Sequence, residues 1–149
     1  MSLVFDLESN GLLHELDTIH CIAIHDTKCA DRRVNALQIY HGTDGINEAL
    51  DLLAVADEII GHNIIGFDIP ALQKVYPSWK PTGKVTDTLV ISRLVAADLQ
   101  NDDATSLGLP EGFQRRMFGS HALKAWGLRM GTMKGDYEGG WETCNPEML

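Results

Sequence analysis

The first strand-like stretch restricts the fold more than any other part of the chain. In residues 2–8, Leu3, Phe5 and Leu7 alternate with Val4, Asp6 and Glu8. A period of two marks a half-buried β-strand, with the apolar set facing a core and the carboxylates facing away from it. Asp6 and Glu8 stand two residues apart, so their side chains leave the strand on the same side. Two like charges on one face repel, and something must neutralise them. Solvent does this; a divalent cation does it better, because Mg2+ takes one or two protein carboxylates and completes its shell with water or phosphate oxygens. Alone, a D-x-E pair is a weak signal, and a solvated strand end accounts for it more simply.

The rest of the pattern builds on this strand. Residues 19–25 (IHCIAIH) and 35–40 read as second and third strands, which predicts an antiparallel meander. The period then changes. Ile46, Ala49, Leu50, Leu53 and Ala54 follow helical spacing, with Thr43 or Asp44 expected as the cap. Ile59–Gly61 reads as a short apolar strand, and Asp68–Tyr76 as a helix with Pro70 in its first turn. Val85 opens a brief extended stretch, and Asp87 is expected to cap a helix carrying Leu89, Val90, Leu94 and Val95. Residues 100–112 read as a loop, Ser120 is expected to cap a last helix, and residues 131–149 read as mostly irregular. This order predicts an α/β fold in one domain, residues 1–149. The expected architecture is an RNase H-like mixed sheet: a three-stranded antiparallel meander plus α/β units. The pattern does not give the strand order.

Composition narrows the function. The chain is 44% hydrophobic and 22% charged, near the average for globular proteins, which excludes disorder over its whole length. No apolar run approaches the roughly 20 residues of a membrane span, and the N-terminus has no signal-peptide pattern, so the expected location is cytoplasmic. Three cysteines (Cys21, Cys29, Cys144) without a CxxC argue against a disulfide framework or a zinc site. The net charge of −9 makes the chain a poor non-specific binder of DNA or membrane. The charge is uneven, however: residues 1–61 hold 11 acids and 3 bases, whereas residues 112–134 hold 5 bases and no acid.

A second constellation changes the weight of the first. Asn63, Phe67 and Asp68 lie in GHNIIGFDIPAL, where a short strand turns into a helix. A helix cap and a turn residue explain each of them singly, but not their combination with D-x-E on a preceding strand. DLESNGLL, HNIIGFDIPAL, TDTLVISRL and FGSHALKAWGLRMGTMKGDY, in this order and spacing, resemble the 3′–5′ exonuclease domain of family-A DNA polymerases of the phage type. The similarity runs from Val4 to about Tyr137.

That family belongs to the DEDD exonucleases, which are RNase H-like and remove 3′-terminal nucleotides by two-metal hydrolysis. The resemblance implies two Mg2+ or Mn2+ ions, with Asp6 bridging both, Glu8 ligating one, and Asp68 completing the second ion's shell through water. Two cations clamp the attacking and leaving oxygens of an in-line displacement. They also let an acidic site accept a phosphodiester. It further implies that Leu12, with Leu13 beside it, wedges against a terminal base, that Asn63 contacts substrate or orients the turn, and that Phe67 stacks near the terminal nucleotide or packs under Asp68. Core packing accounts equally well for Leu12 or Leu13. Lys124, Arg129 and Lys134 are candidate phosphate contacts, because nucleic acid needs cations somewhere on this acidic chain; a solvated face is the plainer alternative. The implied partners are a single-stranded DNA 3′ end and a polymerase domain in the parent chain, in host cytoplasm if phage-encoded.

Family members carry a further motif, Tyr-x(3)-Asp or His-x(4)-Asp, that supplies a fourth carboxylate. The one match, Tyr40 with Asp44, precedes the Asn63–Asp68 segment and is treated as coincidental. The family pattern places the motif just beyond Leu149, so the chain is expected to be C-terminally truncated and weak or inactive. The alternative class is a non-catalytic nucleic-acid-binding or interaction domain that keeps the fold; a metal-dependent phosphohydrolase acting on another ester is a third.

Overall fold

A five-stranded sheet in the order β3-β2-β1-β4-β5 organises the protein. The computed structural model describes residues 1–28, 37–106, 108–110 and 113–132. The strands are β1 (Ser2–Ser9), β2 (Ile19–Asp26), β3 (Leu37–His41), β4 (Glu58–Gly61) and β5 (Lys84–Asp87). β1 pairs antiparallel with β2, and β2 with β3, which is the expected meander. β4 runs parallel to β1 and β5 parallel to β4, completing the mixed sheet.

The period of two decides which face is dry. Leu3, Phe5 and Leu7 are buried, while Val4 and Asp6 are exposed. On the dry face, Leu7 pairs with Ile22 and Ile22 with Tyr40. Helices α1 (Gly42–Val55) and α2 (Asp68–Val75) cover that face: α1 packs on β2 and β3, and α2 on β2. Ile46, Ala49, Leu50 and Leu53 of α1 and Ala71 and Leu72 of α2 join the same core cluster. Fully burying side chains of this size contributes about 1.5–3 kcal/mol each. Trp79 is buried too, and its indole N–H donates to the Leu50 carbonyl at 2.9 Å, which makes it part of the core. Tyr40 sits on the dry face, away from Asp6, which leaves the Tyr40–Asp44 pair outside any site Asp6 forms.

Met1–Asp87 forms one compact unit, and a second begins at Thr88. The second unit holds α3 (Thr88–Val95), α4 (Leu99–Thr105), a 3-10 turn at Arg115–Met117 and α5 (Leu123–Met130). Among the described residues, no helix is long and apolar enough to cross a membrane.

Three local expectations are corrected. α1 begins at Gly42, whose φ of +67° makes the turn out of β3, with His41 as its cap residue and no side-chain cap bond; Thr43 and Asp44 lie inside the first turn. Asp44 there faces the positive end of the helix dipole. Residues 99–105, all but the first inside the predicted loop, are helical, because buried Leu99 and Asp103 anchor a segment whose Asn and Asp content argues against a helix. α5 starts after Ala122, and Ser120 instead accepts the Ala122 N–H at 3.3 Å. The described third strand begins at Leu37; residues 35–36 and the predicted irregular stretch from 133 to 149 lie outside the described residues.

Candidate active site

The parallel pairing of β1 with β4 ends at Val4 opposite Ile60, while β1 continues to Ser9. Asp6 and Glu8 therefore stand beyond the last shared rung. This is the carboxyl end of the parallel strands, where sheets of this class place their sites.

The chain between β4 and α2 is shaped to return to this point. Gly61 leaves β4 against β1; a methyl there would meet the Ile64 side chain and lie 2.8 Å from the Phe5 carbonyl oxygen. Asn63 adopts φ +68°, the left-handed region that asparagine tolerates better than most residues. Gly66 and Phe67 donate their N–H groups to the Asn63 carbonyl at 3.0 and 2.9 Å. Ile64, fully buried, nails the turn to the core. The Asp87 carboxylate, 4% exposed, accepts the N–H groups of Asn63 and Ile65 at 2.9 and 3.0 Å. We expect Gly61→Ala to destabilise the fold by about 1–3 kcal/mol, since the backbone oxygen of Phe5 offers no relief; urea unfolding followed by circular dichroism measures it.

This turn delivers Asp68 as the first residue of α2, and the aspartate is buried. Burial and the charge on Asp6 push its carboxyl up to about 7, against hydrogen bonds from its own backbone and from the Leu7 backbone; Asp87 adds a smaller push. Asp68 thus lies against β1, within reach of the Leu7 backbone and of the charge on Asp6. An acid held this way is relieved by a cation. The donors here are carboxylate oxygens, hard ligands suited to Mg2+ or Mn2+, and one or two suffice when water completes the shell. Among the described residues, no group of three His, Cys, Asp or Glu side chains converges as a finished cage. Asp6 and Asp68 are brought together, and Glu8 lines a neighbouring cavity of about 300 Å3 with Gly11, Leu12, Glu15 and Phe67.

Over 91% of its length the chain matches the DNA-directed DNA polymerase of Escherichia phage T7, with 34% identity over 146 residues. The chain is similar to part of a phage DNA polymerase. The polymerase of Enterobacteria phage T3 matches equally, at 34% over 148 residues. The chain spans about a fifth of the length of these relatives, 20% in each case. No protein-family model matches it. Among solved structures, the zinc-bound complex of E. coli exonuclease I with single-stranded DNA superposes with a TM-score of 0.58 at 14% identity, covering 89% of this chain and 35% of that one. A product-bound exonuclease I does so with 0.58 at 14%, covering 91% and 39%. These likenesses establish the fold as that of exonuclease I, the RNase H-like architecture expected from the strand pattern.

The phage-polymerase resemblance also named substrate-facing residues, and the structure sorts them. Leu12 is 63% exposed at the cavity, whereas Leu13 packs against the core. Phe67 lines the cavity and also packs against the core. Asn63 is exposed, with its backbone committed to the turn. Lys124 is exposed near the start of α5. Arg129 is not a free phosphate contact: its guanidinium forms an ion pair with buried Asp103 at 2.6 Å and donates to the Ser120 carbonyl at 2.8 Å. Lys134 lies outside the described residues. Sequence reasoning missed Asp103, hidden in the predicted loop, and favoured a capping role for Asp87 over a direct catalytic one.

Proposed function

We propose that the chain is the 3′–5′ exonuclease domain, residues 1–149, of a larger DNA polymerase, acting on single-stranded DNA 3′ ends in the cytoplasm. The observation that carries this reading is the burial of Asp68 against β1 beside Asp6, which concentrates negative charge where the parallel strands end. Asp6 and Asp68 hold the cations, and Glu8 joins them from the cavity edge. Two bound Mg2+ or Mn2+ ions supply charge neutralisation and a water of lowered pKa for phosphodiester hydrolysis. Leu12 and Phe67 offer apolar surface to the terminal base, Asn63 shapes the turn beneath it, and Lys124 and Lys134 are candidate backbone contacts.

Cleavage of a single-stranded oligonucleotide with Mn2+ tests the reading. Asp6→Ala should lower the rate by about 10²–10³-fold, the loss typical of removing one group that stabilises developing charge, and should weaken Mn2+ binding seen by electron paramagnetic resonance. A native chain that binds no Mn2+, or an Asp6→Ala variant that cleaves like the native chain, overturns it. That no three His, Cys, Asp or Glu side chains converge among the described residues favours a second reading, a non-catalytic DNA-binding domain. That domain would keep its DNA affinity in chelator.

A further inference from the structure

The connection between β1 and β2, residues 10–18, is more tightly built than a surface loop needs to be. Asn10 closes its neck. Its backbone N–H donates to the Thr18 carbonyl at 3.1 Å. Its side-chain amide donates to Asp17 Oδ1 at 2.8 Å, and its side-chain oxygen accepts the N–H groups of Asp17 and Thr18, both at 3.1 Å. Three of the four hydrogen bonds an asparagine side chain can make are thus spent on one closure. Thr18 Oγ1 donates to the same Asp17 oxygen at 2.8 Å. Inside the loop, Glu15 and Leu16 donate their N–H groups to the Leu12 carbonyl at 2.8 Å, forming a single helical turn, and Leu16 is fully buried.

A second fixing point comes from α2. Lys74, in its last turn, extends Nζ to the carbonyls of Leu13 and His14 at 3.0 and 3.1 Å. The loop is therefore held by the helix whose first residue is Asp68. Leu12, exposed to water at the cavity, gains nothing by itself from being held still. A rigid support for an exposed leucine makes sense where that leucine is a wall for something that enters. The cavity also carries Glu8 and Glu15, which repel phosphate, so the group received is the uncharged base.

We infer that Asn10 and Lys74 are positioning residues that hold Leu12 in place as a wall for the 3′-terminal base. The inference rests on the nuclease reading for the identity of the occupant. Neither residue touches that occupant; both act through the loop. Asparagine is required at the neck because aspartate would lose the donor and repel Asp17. At the other end, arginine can replace lysine as a cationic donor, and methionine cannot.

The test uses the full chain and a single-stranded oligonucleotide carrying 2-aminopurine as its 3′-terminal base. It is titrated by fluorescence with Ca2+, which neutralises the carboxylates but is a poor hydrolytic metal, in place of Mn2+. Asn10→Ala and Lys74→Met should each weaken end binding about tenfold, with Lys74→Arg close to native. Mn2+ affinity should be the same in all four proteins. Amide exchange at residues 12–16 should quicken in Asn10→Ala and Lys74→Met. If Asn10→Ala does not fold, the exposed Lys74 pair decides the matter alone. Equal end binding by native and Lys74→Met chains overturns the inference while leaving the nuclease reading intact. A native chain that binds neither Mn2+ nor the 3′ end overturns both.

Discussion

In metal-free buffer at about pH 8, Asp68→Asn should unfold at a temperature about 5–10 °C higher than the native chain. The unfolded chain releases the Asp68 proton at its ordinary value of 3.8, and the folded chain at about 7. The folded state is therefore the tighter proton binder. Its advantage is complete below the unfolded value and is lost as pH rises through about 7, leaving the ionised acid a burden of about 4 kcal/mol at alkaline pH. Asparagine removes the charge and keeps an oxygen for the Leu7 backbone donor, so most of that burden disappears. At about pH 4, where native Asp68 is already protonated in the fold, the two proteins should melt together. Millimolar Mn2+ should reverse the order at alkaline pH, because only the native chain gains by binding it. Differential scanning calorimetry at the two pH values, with and without Mn2+, measures all of this. An unchanged melting temperature at alkaline pH would show that Asp68 is not held in a low-dielectric, like-charged setting.

Asp103→Ala should destabilise the second unit by about 3–5 kcal/mol, the cost typical of leaving one partner of a buried ion pair behind. Arg129 donates from Nε and Nη2 to the two Asp103 oxygens at 2.9 and 2.6 Å. Gly119 adds an N–H at 2.8 Å. The guanidinium carbon also lies 4.9 Å from the ring centre of Phe113 and 5.0 Å from that of Trp126. Removing Asp103 strands a charge that water reaches poorly. Arg129 holds the Asp103 carboxyl below its ordinary value, so this contribution is present at neutral pH and fades as pH falls through the carboxylate range. Amide exchange should report the loss in α4 and α5 while β1 and β2 keep their protection. Combining Asp103→Leu with Arg129→Met should recover more than half of it, since apolar replacement of both partners is often nearly neutral.

What could be read from residue order depended on range. β1 and β2 were legible because alternation is a local property, and α1 because its apolar spacing is. The placement of Asp68 beside Asp6 required motif order as well, since sixty-two positions separate them. α4 was not legible: LQNDDAT has the composition of a turn, and the anchor that overrides it, Arg129, lies 26 residues away. The same blindness made Arg129 look like a surface cation. Leu12 and Leu13 are adjacent and chemically identical, so only the folded loop separates the exposed one from the packed one. Asp87 read as a cap residue because its partners are backbone amides, which no side-chain pattern reveals.

Helix α2 carries Asp68 at one end and Lys74 near the other, with about 1.5 Å of rise for each residue between them. On the proposed reading, it is a ruler between the cation site and the base. Substitutions on its watery side leave that measure alone. Adding or deleting a single residue rotates one end about 100° against the other, swinging Lys74 off the carbonyls it grips. In lineages that keep this arrangement, the segment should therefore vary in composition but not in length.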